Sequence, residues 1–184
     1  MVTLRPETDP MEWGDDPPLG RVISGAQTGV DQAGLRAAKR FNIPTGGSMP
    51  KGYLTEDGPR PEFAEMYGVV ELDSTDYPTQ TRRNIEDADA TIWFDDWRSW
   101  GGRMTIDHCR MVGRPFFVVM PMVTQPVRVA DWIRETGVRV LNVAGDRESK
   151  SPGIGDRAEA FLARVFRRMT GADSGIGPGR GPSQ

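Results

Sequence analysis

The chain has 184 residues, one cysteine, one histidine and a formal net charge of −3 at pH 7, with a mass of 20.3 kDa and a pI near 5.3. That length suits one domain of ordinary size, whose core needs no metal or disulfide staple. A single cysteine excludes a disulfide scaffold and a CxxC zinc site, and the acidic balance gives no basic field for nucleic acid or an anionic membrane.

No apolar run reaches the length of a membrane span, and the first residues lack the basic-then-apolar pattern of a secretory leader. A soluble, cytoplasmic protein is the expectation. The basic residues are 20 arginines with Lys39, Lys51 and Lys150, a bias too general to locate a site.

Residues 1–19 are polar, acidic and proline-rich, and 170–184 form a Gly/Pro/Ser stretch; both read as disordered tails around one folded domain, 20–169. Arg21 to Ser24 reads as a strand, broken at Gly25-Ala26-Gln27-Thr28-Gly29. A helix follows from Asp31 to Phe41, with Ala33, Ala37, Ala38 and Phe41 on one face. Pro44 to Pro61 reads as a long polar loop, either a lid over a binding cleft or a surface loop with exposed charges. Val69 to Leu72 is a strand and Thr79 to Ala88 a helix. Thr91 to Phe94 is a strand, and a loop then leads to a helix from about Thr105 to Val112. Phe116 to Met120 reads as a buried strand, Val127 to Thr136 as a helix, and Val138 to Val143 as a strand. A final amphipathic helix covers Asp156 to Met169, with Phe161, Leu162, Val165 and Phe166 as its stripe.

Strands that alternate with helices, and that are continuously apolar, indicate a parallel sheet covered on both faces. The fold class is therefore α/β: a doubly wound, mostly parallel sheet in a Rossmann-like three-layer sandwich.

In such a sheet the ligand crevice lies beyond the carboxyl ends of the strands. Three glycine-bearing loops fall there: Ser24 to Asp31, Trp97 to Thr105, and Asn142 to Ser149. Glycines let a backbone approach a ligand closely, and a helix start offers N–H groups to an anion. Neither GxGxxG nor GxxxxGK[ST] is present, so the usual dinucleotide and Walker readings fail. A tight turn with no ligand is the alternative for the first loop. Arg147 can grip a phosphate through two parallel hydrogen bonds or form a surface pair with Glu148. Lys51 is a phosphate partner as a point charge if the long loop closes over the cleft.

The stretches SGAQTGVDQAGLRAA, IPTGGSMPKGYLTEDGP, DYPTQTRRNIEDADATIWF, GGRMTIDHC and VLNVAGDRESKSPGI carry a resemblance. Over residues 20–166 the chain resembles the putative molybdenum carrier family, also described as YpsA-related members of the SLOG superfamily. The resemblance implies a Rossmann-like domain related to the lysine-decarboxylase-like LOG phosphoribohydrolases and to DprA. It also implies a nucleotide, a nucleotide-derived compound or the molybdenum cofactor as ligand, and self-association. The residues in the family's motif positions are Gly25, Gln27, Thr28, Gly29 and Asp31, then Lys51, Gly52, Asp57 and Gly58. Thr81, Asn84 and Asp89 follow, then Gly101, Gly102 and Thr105, and last Asn142, Gly145, Arg147, Glu148 and Ser149.

Two positions depart from the family's pattern: Gln80 stands where arginine is common, and Asp146 where proline is. In the LOG register His108 occupies the position of the glutamate that supports N-glycosidic cleavage. Asp107, one residue away, points about 100° off on a helix. This tells against that hydrolysis.

Of the remaining residues, His108 reads as structural or as a donor to a phosphate from the first turn of its helix. Cys109 reads as a small buried hydrophobe. Trp93, Trp97 and Trp100 read as core or interface packing, or as a stacking surface for a ring. Asp95 and Asp96 read as a solvated strand end or as Mg²⁺ ligands beside a phosphate; no protein metal site is expected.

The functional expectation is a binding protein for a phosphorylated small molecule, its phosphate held by glycine-loop amides and Arg147. The alternative is a hydrolase of the N-glycosidic or phosphate bond of such a ligand, with Asp31, Asp57 or Glu148 as base.

Overall fold

The computed structural model describes residues 19–171; the expected tails fall almost wholly outside them. In chain order the elements are β1 (Arg21–Ile23), α1 (Val30–Arg40), β2 (Thr45–Met49), β3 (Leu54–Thr55), β4 (Gly58–Pro59) and α2 (Glu62–Tyr67). They continue as β5 (Val69–Glu71), α3 (Tyr77–Glu86), β6 (Ala90–Phe94), α4 (Trp100–Val112), β7 (Phe116–Val119), α5 (Pro126–Thr136), β8 (Val140–Gly145) and α6 (Ile154–Met169). Six strands form one sheet in the order β5-β2-β1-β8-β6-β7, every neighbouring pair parallel. The expected α/β fold with a parallel sheet and flanking helices is what the chain adopts.

The path through the sheet positions the site. The chain steps outward from β1 to β2 and β5, crosses to β6 and β7, and returns to lay β8 between β1 and β6. From β8 the chain enters α6, which packs with α1 and α5 on one face. From β6 it enters α4, which packs with α3 on the other. The two connections therefore part at β8 and β6, opening a crevice beyond their carboxyl ends.

Local chemistry explains the element ends. Asp76 caps α3 by accepting from Thr79 N at 3.1 Å, with Pro78 in the first turn. Ser99 caps α4 by accepting from Gly102 N at 3.1 Å. Asp31 lies in the first turn of α1, and Lys39 and Arg40 in its last, complementing the helix dipole. Asp89 accepts from Arg139 N and Val140 N at 3.0 and 2.8 Å, which ties the turn before β6 to the start of β8.

Two expectations need correction. The segment read as a loop from Pro44 to Pro61 contains β2, an inner strand of the sheet, and the small β3–β4 hairpin; α2 follows directly. The sequence Thr-Gly-Gly-Ser-Met carries no strand pattern because its neighbours fill the space its side chains lack. Arg21 lies over Gly46, and a Cβ on Gly47 (φ +126°) would sit 2.0 Å from Ser24 O. The second correction is α4, which starts at Trp100 rather than near Thr105. Gly101 and Gly102 argue against helix by propensity. They are selected by contact instead: a Cβ on Gly102 would lie 2.6 Å from the backbone of Trp97.

The main core lies between the sheet and α1, α5 and α6, and joins Val22, Ile92, Phe94, Leu141 and Val143 to Leu162 and Phe166. A smaller one joins Leu35 and Met49 to Phe63, Tyr67 and Val69 of the α2 region. Leu19, within the expected tail, is buried in the main core. Among the described residues no helix is long and apolar enough to cross a membrane.

Candidate functional site

A cavity of about 280 Å³ occupies the crevice between β8 and β6. Gly145, Asp146 and Arg147 border it from β8, Trp93 and Gly101 from β6 and α4, and Tyr77 from the start of α3. Trp100, Ser149 and Lys150 complete the rim. A second hollow of about 370 Å³ is bordered by Arg21 and Val140, which begin their strands, so it opens toward the opposite end of the sheet.

Arg147 is the main charge of the cavity. Its guanidinium lies 4.5 Å from the centre of the Tyr77 ring. Among the described residues the guanidinium has no hydrogen-bond or ion-pair partner. Stacking fixes the plane of the fork while leaving its five N–H groups unused. Burial pushes the Tyr77 hydroxyl up to about 12, with the Asp31 charge adding to it, so the phenol stays protonated. The α4 N-terminus faces the same space through Gly101, which brings the positive end of the helix dipole to the cavity.

Behind this surface the polar groups are tightly packed. Asp31 is buried, and desolvation pushes its carboxyl up to about 7; a hydrogen bond from Gln27 N and the charge of Arg147 pull the other way. The Gln80 amide fills the space over Gly25: a Cβ there would lie 1.4 Å from Gln80 Nε2 and 2.9 Å from Asp31 Oδ2. Trp93 Nε1, Thr105 Oγ1 and Gln80 Oε1 are buried without a hydrogen-bond partner, and Trp93 borders the cavity. Buried polar groups are ordinarily paired, so unpaired ones at a cavity wall mark where a water or ligand is accommodated. Left-handed backbone occurs at Ala26 (φ 51°) after β1 and Asp95 (φ 76°) after β6, both at strand ends facing this region.

Matches to known proteins bear on this arrangement. The family model described as "Circularly permutated YpsA SLOG family" matches residues 22–166. The chain belongs to this SLOG family. It is also similar to a solved structure, that of a "putative molybdenum carrier protein" from Syntrophus aciditrophicus SB. The two are 32% identical with a TM-score of 0.73, over 82% of this chain and 96% of that one. No curated protein sequence matches.

Within this SLOG domain the motif residues divide by what they touch. Gly101, Gly145, Arg147 and Ser149 border the cavity. Gly25 makes room for Gln80, and Gly29 (φ +79°) admits the loop after β8, since a Cβ on it would lie 2.6 Å from Asp146 O. Gly102 is packed on the Trp97 backbone. At Gly25 and Gly29 the missing side chain thus lets protein approach protein.

Asn84 holds β2, accepting from Ser48 N at 2.8 Å and donating to Ser48 O at 2.9 Å. Asn142 donates to Thr91 Oγ1 at 3.2 Å beneath the sheet. Thr81 donates back to Tyr77 O at 3.2 Å, and Gln27 donates to Leu54 O at 2.9 Å. Glu148 caps α6, accepting from Gly153 N and, at 3.1 Å, from Gly155 N. Thr28 and Ser149 bind Glu56. Lys51 and Asp57 are exposed on the turn and hairpin after β2, away from the cavity lining.

His108 lies in the third turn of α4, and its Nε2 meets Glu86 Oε1 of α3 at 2.9 Å, so it joins two helices and does not face the cavity. Cys109 is buried, and burial raises its thiol. Asp95 accepts from Ser151 Oγ at 3.1 Å and Asp96 from Arg98 N at 2.9 Å. No group of three or more His, Cys, Asp or Glu side chains is placed to hold a metal among the described residues. The sequence reading missed Tyr77 and Lys150 as cavity residues. Lys150 had a findable signal, since it directly follows the third loop, three residues past Arg147. Tyr77 comes from α3, whose approach to β8 is a product of the strand order.

Proposed function

We propose that the protein binds a phosphorylated small molecule bearing a planar ring, a nucleotide-like or pterin-type compound, without breaking a bond in it. The observation that carries this reading is Arg147: a guanidinium held on the Tyr77 ring, with its N–H groups unspent, in a cavity that also receives an α4 N-terminus. A phosphate there accepts two parallel hydrogen bonds from the fork and gains from the helix dipole and the Lys150 charge. Trp100, exposed at the rim, and the buried Trp93 at the wall supply aromatic surface for a ring.

The structural neighbour's description raises molybdenum. No group of three or more His, Cys, Asp or Glu side chains is placed to hold a metal among the described residues, so the reading assigns molybdenum no ligands from them. The donor set suits the phosphate and ring of an organic cofactor, or an oxyanion, rather than a coordinated metal. Arg147 and Lys150 would hold the phosphate, and the tryptophans the ring.

Mass spectrometry of compounds released from purified protein tests the class of ligand. With AMP as probe, Arg147→Ala is expected to weaken binding by about 10- to 100-fold, the worth of charge-assisted hydrogen bonds. Unchanged affinity would show that the phosphate lies elsewhere. A hydrolase is the second reading: Asp31, buried behind the cavity wall with its carboxyl pushed up to about 7, would serve as base only if the ligand reaches it. Product formation from AMP that Asp31→Asn abolishes would establish it.

A further inference from the structure

The β3–β4 hairpin is fastened to the loops after β1 and β8 by one carboxylate. Glu56, in its turn, accepts from Thr28 Oγ1 of the loop after β1, and from Ser149 Oγ and Ser149 N of the loop after β8. Thr28 Oγ1 in turn accepts from Glu148 N at 3.3 Å, so the two loops are joined beneath the carboxylate. Burial acts to raise the Glu56 carboxyl, but the Ser149 and Thr28 hydrogen bonds outweigh it and, with the Arg147 charge, hold it below the ordinary range.

The rest of the fastening is slight. Each strand has two residues, and Gln27 Nε2 to Leu54 O, at 2.9 Å, is the other bond from these loops to the hairpin. Gly52 (φ +75°) precedes it and Gly58 (φ +101°) begins its second strand, each with open space where a Cβ would sit. Its base is held separately, by Gly52 N donating to Glu71 Oε2 at 2.7 Å.

Two hydroxyls, an amide and a nearby guanidinium converging on a carboxylate constitute a set of oxyanion donors that the protein fills with its own side chain. We propose that Thr28 and Ser149 form a phosphate subsite, that Glu56 is its intramolecular occupant, and that a ligand phosphate displaces Glu56 and releases the hairpin. This deepens the reading above and rests on it.

Ser149 borders both the main cavity and a hollow of about 320 Å³ lined by Glu56, Asp57 and Glu148. A phosphate on Ser149 is therefore continuous with one on Arg147, as in a ligand carrying two linked phosphates. Release of the hairpin carries Asp57 away with Glu56 and removes two negative charges. Glu148 remains, its carboxylate committed to the amides of Gly153 and Gly155.

The test uses the full chain with inorganic pyrophosphate as probe, calorimetry for affinity, and hydrogen exchange of residues 51–60 for hairpin release. In the wild type, pyrophosphate is expected to speed exchange across 51–60. Glu56→Ala should show fast exchange without the probe and bind it about tenfold tighter, the internal competitor being gone. Glu56→Asp should restore part of the latch, and Thr28→Ala added to Glu56→Ala should lose the gain in affinity.

Wild-type binding with no change in exchange at 51–60 overturns the proposal, as does an affinity that Glu56→Ala leaves unchanged. If AMP binding depends on Arg147 while Glu56→Ala has no effect, the latch falls and the binding site stands. If neither wild type nor Glu56→Ala binds AMP or pyrophosphate, both fall.

Discussion

On the side of the sheet covered by α1, α5 and α6, the strands present Val22, Ile92, Phe94, Leu141 and Val143. On the side covered by α3 and α4, β2, β6 and β8 present Ser48, Thr91, Trp93 and Asn142; Asn84 of α3 binds Ser48, Asn142 binds Thr91, and Gln80, Thr105 and His108 are buried on the helices. The first interface is close-packed hydrocarbon, in which each large side chain contributes about 1.5–3 kcal/mol by leaving water. The second is a layer of hydrogen bonds whose net worth is small but whose geometry is specific. The crevice opens where the second layer meets the strand ends, and Trp93, whose buried Nε1 is unpaired, borders it. One face thus supplies the stability that lets the other hold buried polar groups beside a cavity.

Substitutions on the two faces test this division. Phe166→Ala empties a fully buried position in the apolar layer and is expected to cost about 3–5 kcal/mol in a urea titration. A loss near 1 kcal/mol would mean that the apolar face does not dominate.

Asp31 belongs to the polar side, and its carboxyl is raised from 3.8 to about 7 by burial. The folded protein therefore holds a proton that the unfolded chain releases between these values, so stability falls as pH rises from about 4 to 7 and levels off above. Asp31→Asn removes this dependence and should gain on the wild type by up to about 1.4 kcal/mol per pH unit in that window. Unfolding curves at pH 4, 5.5 and 7 check it; a constant difference would refute the buried-acid picture.

Asn84→Ala leaves Ser48 N and Ser48 O unpaired between α3 and β2. A cost of about 2 kcal/mol is expected, with faster hydrogen exchange confined to β2 and α3. A change spread over the whole chain would show that the two layers unfold as one.

Where the residues advertise their surroundings, the sequence was readable. Thr91-Ile92-Trp93-Phe94 is buried throughout and lies inside the sheet, as an uninterrupted apolar run should. Asp31 to Phe41 and Asp156 to Met169 show their periodicity, and both fold as amphipathic helices against the same layer. Thr45 to Met49 gave no such sign, because its strand character comes from Arg21, Ser24 and Asn84, far away in sequence.

For the candidate site, the loops after β1, β6 and β8 were legible as strand-to-helix connections rich in glycine. Which glycines border a cavity and which are packed by protein was not: Gly25 and Gly29 are filled by α3 and the loop after β8, and Gly145, at the cavity's edge, is also closed in by Val30 and Phe94.

The sequence by itself determined the α/β class, the covered parallel sheet and the family motifs, since these rest on local periodicity and short-range spacing. Tertiary structure alone decided that β8 returns between β1 and β6, and so that Arg147 lies on Tyr77 and Glu56 reaches Thr28 and Ser149. The physical reason is distance along the chain. Hydrophobic pattern encodes which face of an element is buried, while the partner it meets follows from the order in which the strands pair.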